Sequence, residues 1–161
     1  MNDLPRIGLG IDVHRLAPGR PCMVAGVRFD ADAGPLGHSD GDAVLHAACD
    51  AVLGAAGLDD LGTLFSDRDA INKDRPSADF CRATMLLVKD RGLRVLSLDC
   101  VLETETPKLK ARRSEMRASL ANLFALPVDR VNIKGKTGEK VDAIGRGEAM
   151  RATVVALLGP A

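Results

Sequence analysis

Aromatic residues are scarce in this sequence, which has no tryptophan, no tyrosine and only four phenylalanines among 161 residues. Proteins that bind single-stranded nucleic acid stack bases on aromatic side chains, so such a platform is excluded. An excess of positive charge is also absent, because 22 lysine and arginine residues balance 22 aspartate and glutamate residues. Nucleic-acid-binding domains usually carry a basic excess, so we expect no nucleic-acid partner.

Long apolar runs and paired cysteines are missing as well. No stretch is long enough to span a bilayer, and residues 1–5 lack the basic head and apolar run of a secretory signal. The cysteines form no C-x-x-C pair, which indicates buried thiols in a reducing compartment; they are Cys22, Cys49, Cys81 and Cys100. We therefore expect a single cytoplasmic domain over residues 1–161, with no membrane contact.

Apolar periodicity and turn residues predict an α+β fold with the order β-β-α-α-β-α-β-β. The first helix is expected to be capped by Ser39 or Asp40 and to end at Gly57. The second helix is expected to be capped by Ser77, and the third to start at Thr106-Pro107. The predicted strands are 6–14, 22–29, 94–105, 130–136 and 148–158. The predicted helices end near residues 56, 91 and 124. The predicted loops are 30–38, 58–76 and 137–147. We expect a single-domain sandwich with helices packed on one face of a mixed β-sheet.

Histidine is used sparingly and locally, at positions 14, 38 and 46 only. Asp12 and His14 are two residues apart on a predicted strand, so their side chains point to one face. Imidazole and carboxylate are ligands that zinc prefers, and Asp12, His14 and His46 would leave a fourth position open, as in catalytic zinc sites. Each histidine alone is more often structural, but the D-x-H and H-x7-H spacings together favour a metal site.

Two further features surround these histidines. Asp42 and Asp50 lie one helical turn on either side of His46, where they are either solvated or orient the imidazole. His38 lies at a loop-to-helix junction, where it can donate to an anion that also faces helix amides. A capping or loop histidine explains His38 equally well from the local sequence.

Three later segments carry groups that suit a phosphorylated substrate. The acidic segments 59–62 and 65–69 can accept hydrogen bonds from substrate hydroxyls, or form an ordinary solvated loop. The predicted third helix is basic, and Lys108 beside its start is best placed to meet a phosphate. Residues 134–140 lack the P-loop spacing, but their glycines, hydroxyl and cations can cradle a diphosphate, with Glu139 holding Mg²⁺. A polar hairpin loop is the alternative.

Together these motifs resemble the 2-C-methyl-D-erythritol 2,4-cyclodiphosphate synthase family of the non-mevalonate isoprenoid pathway. The similarity covers nearly the whole chain, and the stretch from His38 to His46 is its most specific part. The matching motifs fall in the family's order: Asp12-Val13-His14, His38-Ser39-Asp40-Gly41-Asp42 with His46, Asp60-Leu61-Gly62 with Phe65 and Asp67, Pro107-Lys108, Thr137-x-Glu139-Lys140 and Gly145-Arg146-Gly147-Glu148.

The resemblance implies a homotrimer around a three-fold axis, with an active site at each subunit interface. It implies one Zn²⁺ per subunit on Asp12, His14 and His46, and Mg²⁺ or Mn²⁺ held by Glu139 and the substrate diphosphate. His38 and Thr137 match catalytic positions that stabilise the transition state. The implied substrate-binding residues are Asp12, His14, His38, Ser39, Asp60, Leu61, Gly62, Phe65, Asp67, Asp69, Thr106, Lys108, Lys110, Lys136, Thr137, Gly138, Glu139 and Arg146. Ser39, Asp60, Gly62 and 65–69 match the methylerythritol-phosphate side; 104–110 and Lys136 match the cytidine side.

The implied activity is that of a phosphorus–oxygen lyase. The 2-phosphate of 4-diphosphocytidyl-2-C-methyl-D-erythritol 2-phosphate attacks the β-phosphorus, and CMP leaves. Two alternatives remain from the residues alone: a zinc-dependent phosphohydrolase on the same ligands, and a non-enzymatic trimeric binding protein with a structural zinc.

The chain departs from the family pattern at two places. The family often has two or three threonines before the glutamate, whereas this chain has Lys136-Thr137-Gly138 with a single hydroxyl. The contacts to cytidine are therefore expected to differ from those of the family. Many members line an axial cavity for an isoprenoid diphosphate with phenylalanines, and the matching positions here are Ile11 and Ala143. An isoprenoid diphosphate on the trimer axis is therefore the least supported of the implied partners.

Overall fold

A five-stranded mixed β-sheet carries the helices in the computed structural model, which describes residues 4–37, 39–66, 70–72 and 75–161. The strands are β1 (Arg6–Pro18), β2 (Cys22–Val24), β3 (Val27–Phe29), β4 (Ala33–Pro35), β5 (Leu93–Glu103), β6 (Val131–Lys136) and β7 (Ala149–Pro160). The helices are α1 (Ala43–Ala56), α2 (Leu61–Leu64), α3 (Ser77–Asp90), α4 (Arg113–Leu123) and α5 (Asp142–Gly145). Single turns of 3₁₀ helix lie at Ala70–Asn72, Lys110–Arg112 and Val128–Arg130.

The large sheet has the strand order β4-β1-β7-β5-β6. Strand β7 pairs antiparallel with both β1 and β5, whereas β5 and β6 are parallel. This arrangement confirms the predicted α+β fold with a mixed sheet. The predicted strand 22–29 is wrong, because it divides into β2 and β3 of a separate hairpin. Ala25 and Gly26 both have positive φ, 52° and 76°, which forms the two-residue turn that suits a hairpin.

Helix α1 lies directly against β1. Gly8 and Gly10 face it, and a Cβ added at either would lie 1.9 Å from the carbonyl oxygen of Ala51 or Ala47. The helix is rich in alanine and is buried on most of its surface, so the two backbones are in contact. The same face of β1 continues past the glycines to Asp12 and His14. Strand alternation therefore aims both functional side chains towards the helix that carries His46.

Helix starts differ from the sequence prediction. Helix α1 begins at Ala43 with Asp42 as its cap, because the Asp42 side chain accepts from the backbone N–H of Leu45. Gly57 ends the helix in the left-handed conformation, as predicted. Ser77 is the first residue of α3 and makes no capping bond there, since its hydroxyl is committed to Asp40 and His46.

The predicted third helix is wrong over its first six residues, 107–112. The Thr106-Pro107 peptide is cis, and the Thr104 hydroxyl donates to the carbonyl of Thr106, which closes a turn there. A 3₁₀ turn follows, and α4 begins only at Arg113. Lys108 consequently lies in a loop and not at a helix start. The predicted loops 30–38, 58–76 and 137–147 contain β4, α2 and α5 respectively.

The face of β1 opposite α1 is apolar and exposed. Ile7, Leu9, Ile11 and Val13 are between 53% and 74% exposed, and Val155 of β7, the register partner of Leu9, continues this exposed apolar stripe. An exposed patch of this kind marks an interaction surface. Within the described ranges, no helix has the length and hydropathy needed to cross a membrane.

Candidate active site

Three predicted metal ligands converge between β1 and α1. Oδ2 of Asp12 lies 2.8 Å from Nε2 of His14 and 3.3 Å from Nδ1 of His46. One ligand atom from each residue can be chosen so that all three lie within 4.8 Å of one another. Strand alternation brings Asp12 and His14 to the same face, and α1 presents His46 to them.

Two atoms of this triad fit a bound metal. Asp12 Oδ2 and His14 Nε2 are buried and lie 2.8 Å from each other, and in the part of the chain that the structure describes neither has a hydrogen-bond partner outside the triad. Two zinc ligands at about 2.0–2.1 Å in tetrahedral geometry lie roughly 3.3 Å apart. Asp12 Oδ2 is 3.3 Å from His46 Nδ1 and, more closely, 2.8 Å from His14 Nε2. The residues present therefore fit zinc.

The second nitrogen of each imidazole is held by the protein. His14 Nδ1 lies 2.7 Å from the carbonyl oxygen of Leu36. His46 Nε2 lies 2.9 Å from the hydroxyl of Ser77 and 3.2 Å from that of Ser39. Partners of this kind fix the ring orientation and the tautomer of a metal-binding histidine.

The contacts within the triad favour an ionised Asp12. Burial raises the pKa of Asp12, but the close approach of His14 and His46 outweighs it, and the net pKa is well below its ordinary value. Burial lowers the pKa of His14, yet its contact with Asp12 raises that pKa by more. Asp12 is therefore ionised at neutral pH, which is the form that binds a metal.

The carboxylates predicted to flank His46 have other partners. Asp42 is fully buried and accepts from the backbone N–H groups of Ala25 and Gly26, at 2.9 and 2.6 Å. Burial raises its pKa. Asp50 accepts from the N–H of Leu61 at 2.7 Å, which fixes the start of α2. Sequence reasoning missed Ser77 as a partner of His46, because its position at a helix start indicated only a cap.

A cavity of about 650 Å³ opens beside the triad. It brings together seven predicted site residues: Asp12, His14, Ser39, His46, Leu61, Gly62 and Phe65. Asp60 lies next to it as the cap of α2 and accepts from the N–H of Thr63 at 2.8 Å. Asn72 and Phe80 also line the cavity and carried no signal in the sequence. His38, Asp67 and Asp69 lie outside the described residues.

A second cavity, of about 440 Å³, lies between β6 and the loop before α4. It brings together the predicted residues Lys108, Lys110, Lys136 and Thr137, and Arg113 adds a further cation. Thr106 lines a neighbouring cavity of similar size, about 450 Å³, with Pro107 and Lys108. As lined by the described residues, the cavity beside the triad and the cavity beside β6 have no residue in common. A single chain therefore separates the histidine triad from the Thr137 segment.

Hydrogen bonds, close backbone packing and an ion pair fix the segment after β6, residues 137–148. The Thr137 hydroxyl donates to Glu139 Oε1 at 2.9 Å, and the N–H of Gly138 donates to Glu105 at 2.9 Å. A Cβ at Gly138 would lie 2.4 Å from the backbone nitrogen of Gly145, so this position needs glycine. Arg146 forms a two-bond ion pair with Glu148 at 3.0 and 3.1 Å.

Comparison with known proteins decides the family. Residues 5–159 match the model of the YgbB family. The chain belongs to this family. The 2-C-methyl-D-erythritol 2,4-cyclodiphosphate synthase of Nitrosomonas eutropha is 45% identical over 153 residues, which cover 95% of this chain and 92% of the relative. The synthase of the same name from Burkholderia ambifaria is also 45% identical, with 95% of each chain covered.

Solved structures agree. A CDP-bound form of a 2C-methyl-D-erythritol-2,4-cyclodiphosphate synthase has a TM-score of 0.89 at 42% identity, and covers 95% of this chain and 99% of that chain. The CDP complex of IspF from Plasmodium falciparum has a TM-score of 0.87 at 29% identity, with 99% of both chains covered. This member of the family is an enzyme, a CMP-releasing phosphorus–oxygen lyase of the cyclodiphosphate synthase type.

Proposed function

We propose that the histidine triad is the zinc centre of this synthase, with Asp12, His14 and His46 as the protein ligands. The reaction converts 4-diphosphocytidyl-2-C-methyl-D-erythritol 2-phosphate to 2-C-methyl-D-erythritol 2,4-cyclodiphosphate and CMP, a step of the non-mevalonate isoprenoid pathway. The observation that carries the zinc assignment is the convergence of the three side chains, in which Asp12 Oδ2 and His14 Nε2 are buried and have no hydrogen-bond partner outside the triad. A structural zinc normally has four protein ligands, and this triad offers three.

The chemistry needs positioning more than activation. The second pKa of a phosphate monoester is about 6, so the attacking 2-phosphate is largely ionised without a general base. Holding two reacting groups of one molecule together contributes roughly 7–11 kcal/mol. Zinc on the triad, and Mg²⁺ or Mn²⁺ on Glu139, would supply positive charge that offsets the repulsion between the phosphates.

The two cavities divide the substrate between them. The cavity beside the triad takes the methylerythritol phosphate, with Ser39, Asp60, Gly62 and the 65–69 segment as hydroxyl and phosphate partners. The second cavity takes the cytidine end, and its cations, Lys108, Lys110, Lys136 and Arg113, suit an anionic nucleotide. Thr137 lines that cavity and contacts Glu139, which supports its role in stabilising charge on the phosphoryl oxygens. The same role for His38 stays a prediction.

A homotrimer around a three-fold axis would unite the two cavities. The triad of one subunit and the Thr137 segment of its neighbour would then form one site. The exposed stripe of Ile7, Leu9, Ile11, Val13 and Val155 supports this proposal, since association would bury it. An isoprenoid diphosphate on the axis stays a prediction. The four free, buried cysteines support a reducing compartment such as the cytoplasm, and the match over 5–159 supports one domain.

Phosphorus NMR tests the proposed function. Zinc-loaded protein is given the cytidyl substrate with Mg²⁺, and the products are followed over time. The expected result is a cyclic diphosphate together with CMP. Inorganic phosphate or a linear product would instead support the phosphohydrolase alternative, because water would then have entered the product.

Changing Glu139 to glutamine is expected to lower turnover by about 10²-fold, because a bound cation supplies several kcal/mol and 1.4 kcal/mol corresponds to tenfold. The zinc content should stay at the wild-type value, since the triad does not include Glu139. CMP release and metal analysis measure the two quantities. Glu115→Gln, on an exposed glutamate of α4, is the matched control. Loss of zinc in Glu139→Gln would show that Glu139 is placed wrongly.

A further inference from the structure

The side of His46 that points away from the triad contacts a residue to which the proposed function gives no part. Ser77, the first residue of α3, is fully buried. Its hydroxyl lies 2.9 Å from His46 Nε2 and also bonds Asp40 Oδ1. The other oxygen of Asp40 accepts from the backbone N–H of Ser77 at 3.2 Å. Asp40 therefore holds Ser77 by two bonds, and Ser77 holds the imidazole.

The donor and acceptor roles of these groups fix which atom carries each proton in this chain of hydrogen bonds. An ionised carboxylate only accepts hydrogen bonds, so the hydroxyl proton of Ser77 is committed to Asp40. The Ser77 oxygen then presents a lone pair to His46, and Nε2 must carry the proton that it receives. A neutral imidazole with its proton on Nε2 has a free lone pair on Nδ1. That atom is the one that lies 3.3 Å from Asp12 Oδ2.

The second histidine of the triad is oriented by the same logic. The carbonyl of Leu36 can only accept, so the proton of His14 lies on Nδ1, and Nε2 faces Asp12. For His14, a backbone carbonyl accepts the proton of the nitrogen that faces away from the triad. His46 lies on a helix, where the backbone carbonyls accept hydrogen bonds within the helix, so side chains accept the proton of its Nε2.

We propose that Ser77, held by Asp40, is a positioning residue that fixes the metal-binding tautomer of His46. The inference rests on the proposed zinc site and adds two residues to it. Ser39 is the lesser partner, because its oxygen is further from Nε2, at 3.2 Å, and also accepts from the N–H of Gly41 at 3.1 Å. Loss of a residue that orients a metal ligand typically costs about 10–100-fold in metal affinity.

Zinc affinity is the direct test, measured by competition with a chromophoric chelator. We expect Ser77→Ala to weaken zinc binding by about 10–100-fold. Thr84→Val is the matched control, because Thr84 is also a fully buried hydroxyl on α3, two turns along the helix, and has no hydrogen-bond partner in the described structure. Its affinity should stay within about twofold. Unchanged affinity in Ser77→Ala, or an equal loss in Thr84→Val, would overturn the proposal.

Nitrogen NMR of the zinc-free protein supplies a readout that packing alone does not change. We expect the Nε2-protonated form of His46 to dominate in the wild type and to lose population in Ser77→Ala. If Ser77→Ala does not fold, Asp40→Asn decides: it keeps the Ser77 hydroxyl but removes the acceptor-only partner. Weaker zinc binding in Asp40→Asn supports the proposal, and wild-type affinity overturns it. A wild-type protein that binds no zinc would refute the zinc centre itself, which is a separate outcome.

Discussion

Replacing His46 with alanine is expected to remove zinc from the protein and to lower turnover by about 10³-fold or more. The imidazole is one of three protein ligands, and Nδ1 lies 3.3 Å from Asp12 Oδ2. Its loss leaves a carboxylate and one imidazole, which cannot hold a catalytic zinc in the usual three-ligand form. Bound metal supplies several kcal/mol of charge stabilisation, and each 1.4 kcal/mol corresponds to tenfold in rate.

The measurement pairs CMP release with metal analysis of the same preparation. Alanine is the best helix former, so α1 should persist, and circular dichroism checks that it does. Thr84→Val provides a reference whose zinc content and turnover should both match the wild type. Wild-type turnover by a His46→Ala protein that contains no zinc would contradict the assignment of the triad.

The sequence predicts best those parts of the site that depend on local geometry. Alternation along a strand aims Asp12 and His14 at one side, and this needs no knowledge of the remaining chain. The position of Gly57 correctly predicts the end of α1 because a left-handed residue is a local requirement. The strand pattern also predicts the mixed sheet, although it merges the short strands β2 and β3 into one.

The parts that the sequence does not predict depend on distant contacts. Ser77 is 31 residues from His46 along the chain, and nothing near either residue indicates that they meet. Thr106-Pro107 is a good local start signal for a helix, but the bond from the Thr104 hydroxyl to the Thr106 carbonyl closes a turn instead. The family resemblance places Thr137 and His46 in one site, whereas a single chain places them in different cavities. The proposed homotrimer would join them.

Gly10, a glycine of β1 that offers no ligand atom of its own, is expected to be essential for stability. Gly10→Ala should lower the free energy of unfolding by about 3 kcal/mol or more, at the upper end of the cost of overpacking. The added Cβ would lie 1.9 Å from the carbonyl oxygen of Ala47 and 2.7 Å from the nitrogen of Ala51. These atoms are four residues apart on α1, the spacing of its backbone hydrogen bonds.

Relief of this clash requires α1 to move away from β1. A carbon–oxygen contact needs about 3.3 Å, so the helix must retreat by more than about 1 Å or lose hydrogen bonds at that turn. His46 precedes Ala47, and Asp12 is the next residue on the same face of β1, so the retreat also widens the triad. Gly10→Ala should therefore bind zinc more weakly as well as unfold earlier.

Gly54→Ala is the matched control, because Gly54 is a glycine of α1 with no atom within 4 Å of an added Cβ. In a helix interior, replacing glycine with alanine stabilises by about 0.5–1 kcal/mol. Thermal unfolding at equal protein concentration distinguishes the two variants. A loss of 3 kcal/mol in a chain of this size lowers the midpoint by roughly 6–12 °C, whereas Gly54→Ala should match or exceed the wild type. Equal midpoints for both variants would mean that β1 and α1 are not in backbone contact at Gly10.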